Sequence, residues 1–102
     1  MTITTPGHSY TLRNFEGVGI QQLQFIHKEP IIPGSTELRT VTEGTTNEEV
    51  LEALIDRMEF LQSKFPCREN AIVITNLQES LMWLNKRTAD RQKRNVEGKQ
   101  LA

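Results

Sequence analysis

The sequence of 102 residues has very few of the side chains that catalysis or metal binding usually needs. It contains one cysteine and two histidines, so no intrachain disulfide can form, and these three residues do not have the spacing of a metal site. A phosphate-binding Walker loop, a dinucleotide-binding glycine fingerprint and a nucleophile elbow are all missing. We therefore expect no catalytic residues, no metal ion, no cofactor and no enzymatic activity.

Long apolar runs are missing as well. One of the longest, Ala-Ile-Val-Ile at residues 71–74, is far shorter than the roughly 20 residues that a bilayer requires. Residues 1–7 have neither the positive charge nor the apolar centre of a signal peptide. The single cysteine, Cys67, fits a reducing compartment, and no signature of a partner base marks it as a nucleophile. These absences predict a cytoplasmic protein without membrane association.

The charge is nearly balanced, because 12 Lys and Arg oppose 13 Asp and Glu. A net charge of −1 argues against binding to a nucleic-acid polymer by bulk electrostatics. The balance hides a division: residues 1–63 carry four bases and nine acids, whereas residues 64–102 carry eight bases and four acids. The division indicates either an anionic partner for the C-terminal part or contact between the acidic half of one subunit and the basic half of another.

The N-terminal third alternates between apolar and polar residues in the way that strands do. We expect a loose arm over residues 1–9 and a small antiparallel β-sheet over residues 10–43. Within this sheet, residues 20–28 and 36–43 are predicted to form a hairpin with Pro33-Gly34 in the turn. A sheet of this size is not stable alone.

Two helices are predicted after the sheet. Thr46 and Glu49 have the spacing of a capping box, and a broad apolar face then continues to about Ser63. Pro66 suits the first turn of a second helix, for which Gly98 is the expected stop. The apolar stripe of that helix consists of Ile74, Leu77, Leu81 and Leu84.

Together these patterns predict an α+β fold. A small N-terminal antiparallel β-sheet is followed by a two-helix hairpin over residues 46–97, in a single domain of residues 1–102. Because so short a chain buries little surface, we expect it to oligomerise through its helices.

A row of guanidinium groups is the clearest functional signal. Beside the apolar stripe of the last helix, a second line of side chains at the same spacing contains Trp83, Arg87, Arg91 and Arg94. Its three guanidinium groups are expected to stand apart from the apolar stripe and to converge on one anion. The same row can also arise from compensation of the helix dipole and from solubility.

Residues near the helix junction complement this row. Phe60 offers an aromatic face, Asn70 offers the donor and acceptor that a nucleobase edge requires, and Arg68 lies beside helix N–H groups that favour an anion. Asn70 and Arg87 are 17 residues apart, which is about 25 Å along a continuous helix. One chain therefore cannot bring them to one small ligand, whereas two antiparallel subunits can.

Four segments carry a resemblance to a known family. They are residues 45–57 (TTNEEVLEALIDR), 65–70 (FPCREN), 81–91 (LMWLNKRTADR) and 96–98 (VEG). In these segments the chain resembles the small phage proteins of the Thoeris anti-defence sponge family, which share a helical hairpin with the phage anti-CBASS sponges. The resemblance covers residues 44–98 well and the sheet more loosely.

The resemblance implies that the protein sequesters a signal and does not degrade it. Members of the family hold cyclic ADP-ribose isomers that bacterial immune enzymes of the Toll/interleukin-receptor type produce, and some also bind cyclic oligonucleotides at a separate site. They are dimers or hexamers whose pocket lies between two subunits. The implied ligand-binding residues are Phe60, Arg68, Asn70, Arg87 and Arg91. The implied location is the cytoplasm of the host bacterium.

Two alternatives belong to other functional classes. The first is a protein-binding inhibitor or structural phage protein that uses its basic C-terminal helix against an acidic partner; it predicts a salt-dependent protein complex and no uptake of small molecules. The second is a hydrolase that destroys the signal, which the shortage of candidate bases makes the weakest.

Overall fold

The computed structural model of the protein describes residues 1–94 and contains five strands followed by two helices. This arrangement confirms the α+β fold with an N-terminal antiparallel sheet region and a helical hairpin. The chain divides into two compact units, one formed by Met1–Thr46 and the other beginning at Asn47. Among the helices of the described part of the chain, none has the length and apolarity to cross a bilayer.

A three-stranded antiparallel sheet begins the first unit. Its strands, in the spatial order β1-β2-β3, are β1 (Thr2–Thr5), β2 (Ser9–Arg13) and β3 (Ile20–Gln24). Tyr10 lies opposite Ile3 on one side and Leu23 on the other, so these apolar side chains share one face. On the opposite face the Ser9 hydroxyl donates to the Gln24 side-chain oxygen, and Thr11 donates to Gln22 over 2.8 Å. The sheet therefore has one apolar and one polar face.

The N-terminal arm is a point on which the sequence prediction was wrong. Residues 1–9 were expected to be loose, but Thr2–Thr5 forms β1 and pairs with β2. The composition of this segment looks polar, yet threonine and isoleucine are strand formers, and the turn to β2 contains Gly7 at φ +77°. Residues 2–5 are therefore a strand because they pair with β2.

The second sheet of this unit is a two-stranded hairpin. It contains β4 (His27–Pro30) and β5 (Leu38–Thr42), which pair antiparallel around the predicted Pro33-Gly34 turn. The single strand predicted over residues 20–28 is instead divided between β3 and β4. The division falls where the backbone of Thr45 approaches: Thr45 N–H donates to the Gln24 carbonyl and Ile26 N–H donates to the Thr45 carbonyl, both over 2.9 Å.

Glycine is required at position 44 for that approach. A Cβ atom at Gly44 would lie 2.5 Å from the Gln24 carbonyl oxygen and from the Phe25 carbonyl carbon, which is too close for any side chain. Nearby, the imidazoles of His8 and His27 stack with centroids 3.8 Å apart, and Tyr10 meets Phe25 edge to face. His27 Nε2 lies 3.4 Å from Glu29 Oε1, as their placement on one strand face predicts.

The second unit is the helical hairpin. Its helices are α1 (Asn47–Lys64) and α2 (Arg68–Lys93). α1 begins directly after Thr46, where the sequence predicts its start, and has Glu48 and Glu49 in its first turn. The start of α2 differs from the prediction, because Pro66 precedes the helix and Cys67 is its N-cap, with extended backbone at φ −150°. The predicted stop at Gly98 lies outside the described residues.

A line of half-buried side chains runs along α2. It contains the predicted stripe of Ile74, Leu77, Leu81 and Leu84. Many other apolar side chains of the helices are exposed, and none of the apolar side chains within residues 1–94 is fully buried. The helices are therefore only partly covered within one chain.

The turn between the helices is held by one side chain. Gln62 accepts a hydrogen bond from the Cys67 N–H and donates one to the Cys67 carbonyl, both over 3.0 Å. The Cys67 sulfur in turn accepts from the Asn70 N–H over 3.4 Å, which caps α2. Gln62 thus fixes the residue from which α2 begins.

We expect Gln62→Ala to lower the free energy of unfolding by about 1–2 kcal/mol, because two hydrogen bonds to the backbone of Cys67 are lost. Gln62→Glu keeps the acceptor for the Cys67 N–H and should lose about half as much. The measurement is urea unfolding at a fixed protein concentration, since association would shift the midpoint. A matched control is Gln78→Ala, because Gln78 makes one exposed contact of 3.4 Å with Glu59. Equal losses for Gln62→Ala and Gln78→Ala would contradict the role of Gln62.

Candidate functional site

The C-terminal part of α2 carries a surface cleft of about 230 Å³. The side chains that line it are Trp83, Lys86, Arg87, Asp90, Arg91 and Arg94. Five of them lie on α2 and Arg94 is its C-cap, and their three- and four-residue spacing makes the cleft a feature of one helix face. It contains the whole guanidinium row that the sequence predicts, together with an aromatic ring.

Trp83 and Arg87 are both accessible from solvent in this cleft. Trp83 retains 56% of its surface exposed, and Arg87 is also exposed. They are four residues apart on the helix, a spacing that places side chains side by side. An indole face and a guanidinium group are therefore available to the same bound molecule.

Two oppositely charged side chains in the cleft form an ion pair. Lys86 Nζ lies 3.0 Å from Asp90 Oδ2, with both side chains more than half exposed. The carboxylate reduces the positive potential that Lys86 adds, so the arginines carry most of the attraction for an anion. Because solvent surrounds this pair, it contributes little to stability.

Arg91 is buried, whereas the sequence analysis predicts that it is exposed to solvent. It was expected on the exposed line with Arg87, but only 5% of its surface is exposed. At 100° per residue, Arg91 lies about 20° around the helix from Leu84 and about 40° from Arg87. It therefore stands at the border of the apolar stripe, and it lines the cleft from that side.

The other predicted site residues lie around the junction between the helices. Phe60, near the end of α1, is 57% exposed, and Lys64 Nζ lies 5.5 Å from the centre of its ring. Asn70 is half-buried in the first turn of α2. Arg68 lines a separate recess of about 250 Å³ together with Ala71, Ile72, Thr75 and Asn76.

The structure separates the five predicted residues into two groups. Helix α2 is continuous from Arg68 to Lys93, so Asn70 and Arg87 lie about 25 Å apart along its axis. Phe60, Arg68 and Asn70 belong to the junction end, and Arg87 and Arg91 belong to the cleft. One chain does not bring the two groups together.

The spacing predicted Trp83 on the arginine line without a role in the site, and Lys86 and Asp90 were not among the predicted site residues. The signal for all three was present, because Trp83 and Asp90 lie four and three residues from Arg87, and Lys86 lies three residues from Trp83. The cleft joins positive charge with an aromatic surface, which suits an anion that carries a flat ring. Among residues 1–94, no cluster of histidine, cysteine and carboxylate side chains could hold a metal ion.

Comparison with known proteins identifies the family. The sequence model described as "Acb2/Tad1, hairpin domain" matches residues 31–89, more than half of the chain. The chain therefore belongs to the Acb2/Tad1 hairpin family, which confirms the resemblance noted in the sequence. The matched segment includes Phe60, Arg68, Asn70 and Arg87 and ends two residues before Arg91.

A phage protein is similar over much of the same region. "Thoeris anti-defense 1" of Bacillus phage SBSphiJ7 is 52% identical over 67 residues, which cover 61% of this chain and 47% of the relative. The chain thus spans about half the length of this relative.

We expect Asp90→Asn to strengthen the binding of inorganic pyrophosphate about two- to fivefold at low salt, because the change removes a carboxylate from the cleft. The gain should disappear near 1 M salt, where charges are screened over about 3 Å. Titration calorimetry at both salt concentrations measures it. Glu79→Gln removes an equal charge from the same helix outside the cleft and serves as the control. An equal gain from both variants would show that Asp90 has no special position relative to the anion.

Proposed function

We propose that the chain is an anti-defence sponge, which binds and sequesters a cyclic ADP-ribose-type immune signal without degrading it in the infected cell. The observation that carries this proposal is the cleft on α2, where an exposed indole and exposed guanidinium stand side by side in a member of the Acb2/Tad1 hairpin family. The anti-defence role named for the similar phage protein agrees with it. Uptake of a cyclic oligonucleotide is the further possibility that the family resemblance implies.

The chemistry of the cleft suits such a ligand. Cyclic ADP-ribose carries an adenine ring and a diphosphate joined through riboses, and guanidinium groups bind phosphate oxygens through two parallel charge-assisted hydrogen bonds. Arg87 is accessible for this contact, and Arg91 lines the same cleft from the border of the apolar stripe. The ligand thus meets positive charge and an aromatic surface together.

Sequestration without cleavage is supported by the side chains that line the cleft. Arginine does not give up its proton in proteins and cannot serve as a general base. Asp90 is the one carboxylate among the six lining residues, and it is paired with Lys86. Neither arrangement supplies an activated nucleophile for hydrolysis.

A pocket shared by two subunits accounts for the separation of the site residues. If two copies of α2 pack antiparallel, the junction end of one chain meets the cleft of the other. Phe60 and Asn70 of one subunit then join Arg87 and Arg91 of its partner around one ligand. Each pair of subunits forms two such pockets.

Uncovered apolar surface supports the same assembly. Ile72, Val73 and Met82 on α2 are each at least 40% exposed, and no apolar side chain within residues 1–94 is fully buried. Packing of helices between chains removes such surface from water and supplies stability that a chain of this length lacks alone. We propose a dimer, or a hexamer built from such dimers, as the functional state.

The sponge function is tested by release of the captured molecule. The purified protein is incubated with cyclic ADP-ribose isomers, separated from unbound ligand, heated to unfold it and analysed by mass spectrometry. We expect the heated sample to release the intact signal in nearly the amount that was bound. A chemically altered product would establish the hydrolase, and failure to remove any isomer from solution would favour the inhibitor that binds an acidic protein.

The shared pocket is tested by mixing subunits. We expect Asn70→Ala and Arg87→Ala homodimers to lose binding, whereas an equal mixture after subunit exchange should regain about a quarter of the wild-type sites, because each mixed dimer contains one intact pocket. Asn70→Ala keeps the backbone N–H that donates to the capping sulfur of Cys67, and the Arg87 side chain is exposed. Both variants should therefore fold. Equilibrium dialysis counts the sites.

A second mixture controls for this experiment. Phe60→Ala and Asn70→Ala alter the same half of the proposed pocket, so their mixture should regain no sites. Arg91 is avoided because it is only 5% exposed, and its loss would combine effects on binding with effects on folding. Failure of the Asn70→Ala and Arg87→Ala mixture to regain sites would exclude a pocket shared in this way.

A further inference from the structure

Trp83 is the single tryptophan of the chain, and it is accessible. Other large apolar side chains within residues 1–94 are exposed too, but Trp83 is the aromatic one that lines the cleft. Its neighbours in the cleft are cationic side chains three and four residues further along α2, namely Lys86 and Arg87. Phe60, the aromatic residue that the sequence analysis assigns to the site, already has the Lys64 ammonium 5.5 Å from its ring centre.

We propose that Trp83 is the base-stacking residue of the cleft, and that the cleft selects a nucleobase joined to phosphate over phosphate alone. This inference rests on the proposed function, because it names the part of the ligand that the arginine half of the pocket holds. The base lies against the indole while the phosphates reach Arg87 and Arg91. Recognition then depends on both features being present in one molecule.

The spacing of the side chains supports this division of roles. Residues four apart on a helix have Cβ atoms about 5–6 Å apart, so a ring stacked on Trp83 carries its attached phosphates toward Arg87. Stacking is favourable for any base, because every base has an aromatic face, and it adds selectivity against ligands that lack one. The two arginines alone would bind any compact anion.

The volume of the cleft limits what it can hold. Pockets for small molecules usually enclose about 300–1,000 Å³, whereas this cleft measures about 230 Å³. It is therefore sized for part of a nucleotide. The remainder of the ligand is then bound by the partner subunit.

The experiment uses Trp83 as its own reporter. Because the chain has no other tryptophan, quenching of indole emission reports on the surroundings of this residue. The wild-type protein is titrated with cyclic ADP-ribose and with inorganic pyrophosphate while calorimetry measures binding. We expect cyclic ADP-ribose to quench the emission in proportion to occupancy, and pyrophosphate to bind more weakly with little quenching.

Substitutions separate stacking from general packing. We expect Trp83→Leu to weaken cyclic ADP-ribose about tenfold and to leave pyrophosphate nearly unchanged, while Trp83→Phe keeps most of the affinity. Phe15→Leu is the matched control, since Phe15 is a fully exposed aromatic residue of the first unit and does not line the cleft. It should leave both affinities unchanged.

The possible results distinguish this inference from the function on which it rests. If Arg87→Ala abolishes binding while Trp83→Leu binds normally, the sponge function stands and stacking on Trp83 is wrong. If Trp83→Leu changes the molar mass in light scattering and has no effect on ligand selectivity, the indole belongs to a contact between chains and the inference is overturned. If the wild-type protein binds no cyclic ADP-ribose isomer, both are overturned.

Discussion

The continuity of α2 is the constraint on which the arrangement of the second unit depends. A helix that runs without a break from Arg68 to Lys93 holds its two ends at a fixed separation. Asn70 and Arg87 therefore cannot meet within a chain, however the surrounding side chains move. The same rigidity keeps Trp83 and Arg87 in a constant relation on one face. A helix of this kind is a suitable support for the two half-sites of the proposed shared pocket.

Local patterns in the sequence predicted the helical hairpin well. The stripe at Ile74, Leu77, Leu81 and Leu84 is half-buried, and α1 starts where Thr46 and the following acids indicate. These signals depend on neighbours three or four residues away, which a sequence shows directly. The start of α2 was harder to predict, because the position of the Cys67 cap depends on hydrogen bonds with Gln62 across the turn.

Contacts between distant segments explain the rest. The strand predicted over residues 20–28 is divided because the backbone at Gly44 and Thr45 pairs beside Phe25, about 20 residues away in sequence. Thr2–Thr5 consists of strand-forming residues, but the strand depends on pairing with β2. In the candidate site, spacing predicted that the arginines share one helix face, and the cleft contains them. The burial of Arg91 was missed, although Arg91 lies seven residues after Leu84 and so continues close to the apolar stripe.

The proposed sharing of pockets between subunits has a consequence for infection dynamics. A catalyst clears many signal molecules for each protein made, whereas a binder that does not cleave is consumed in proportion to the signal. In the proposed assembly each chain lends one half-site to each of two pockets, so one ligand is captured per chain. If the chain works in this way, one copy has to be synthesised for each signal molecule removed. Early and abundant synthesis is then the condition under which the proposed binder keeps pace with an enzyme that produces the signal.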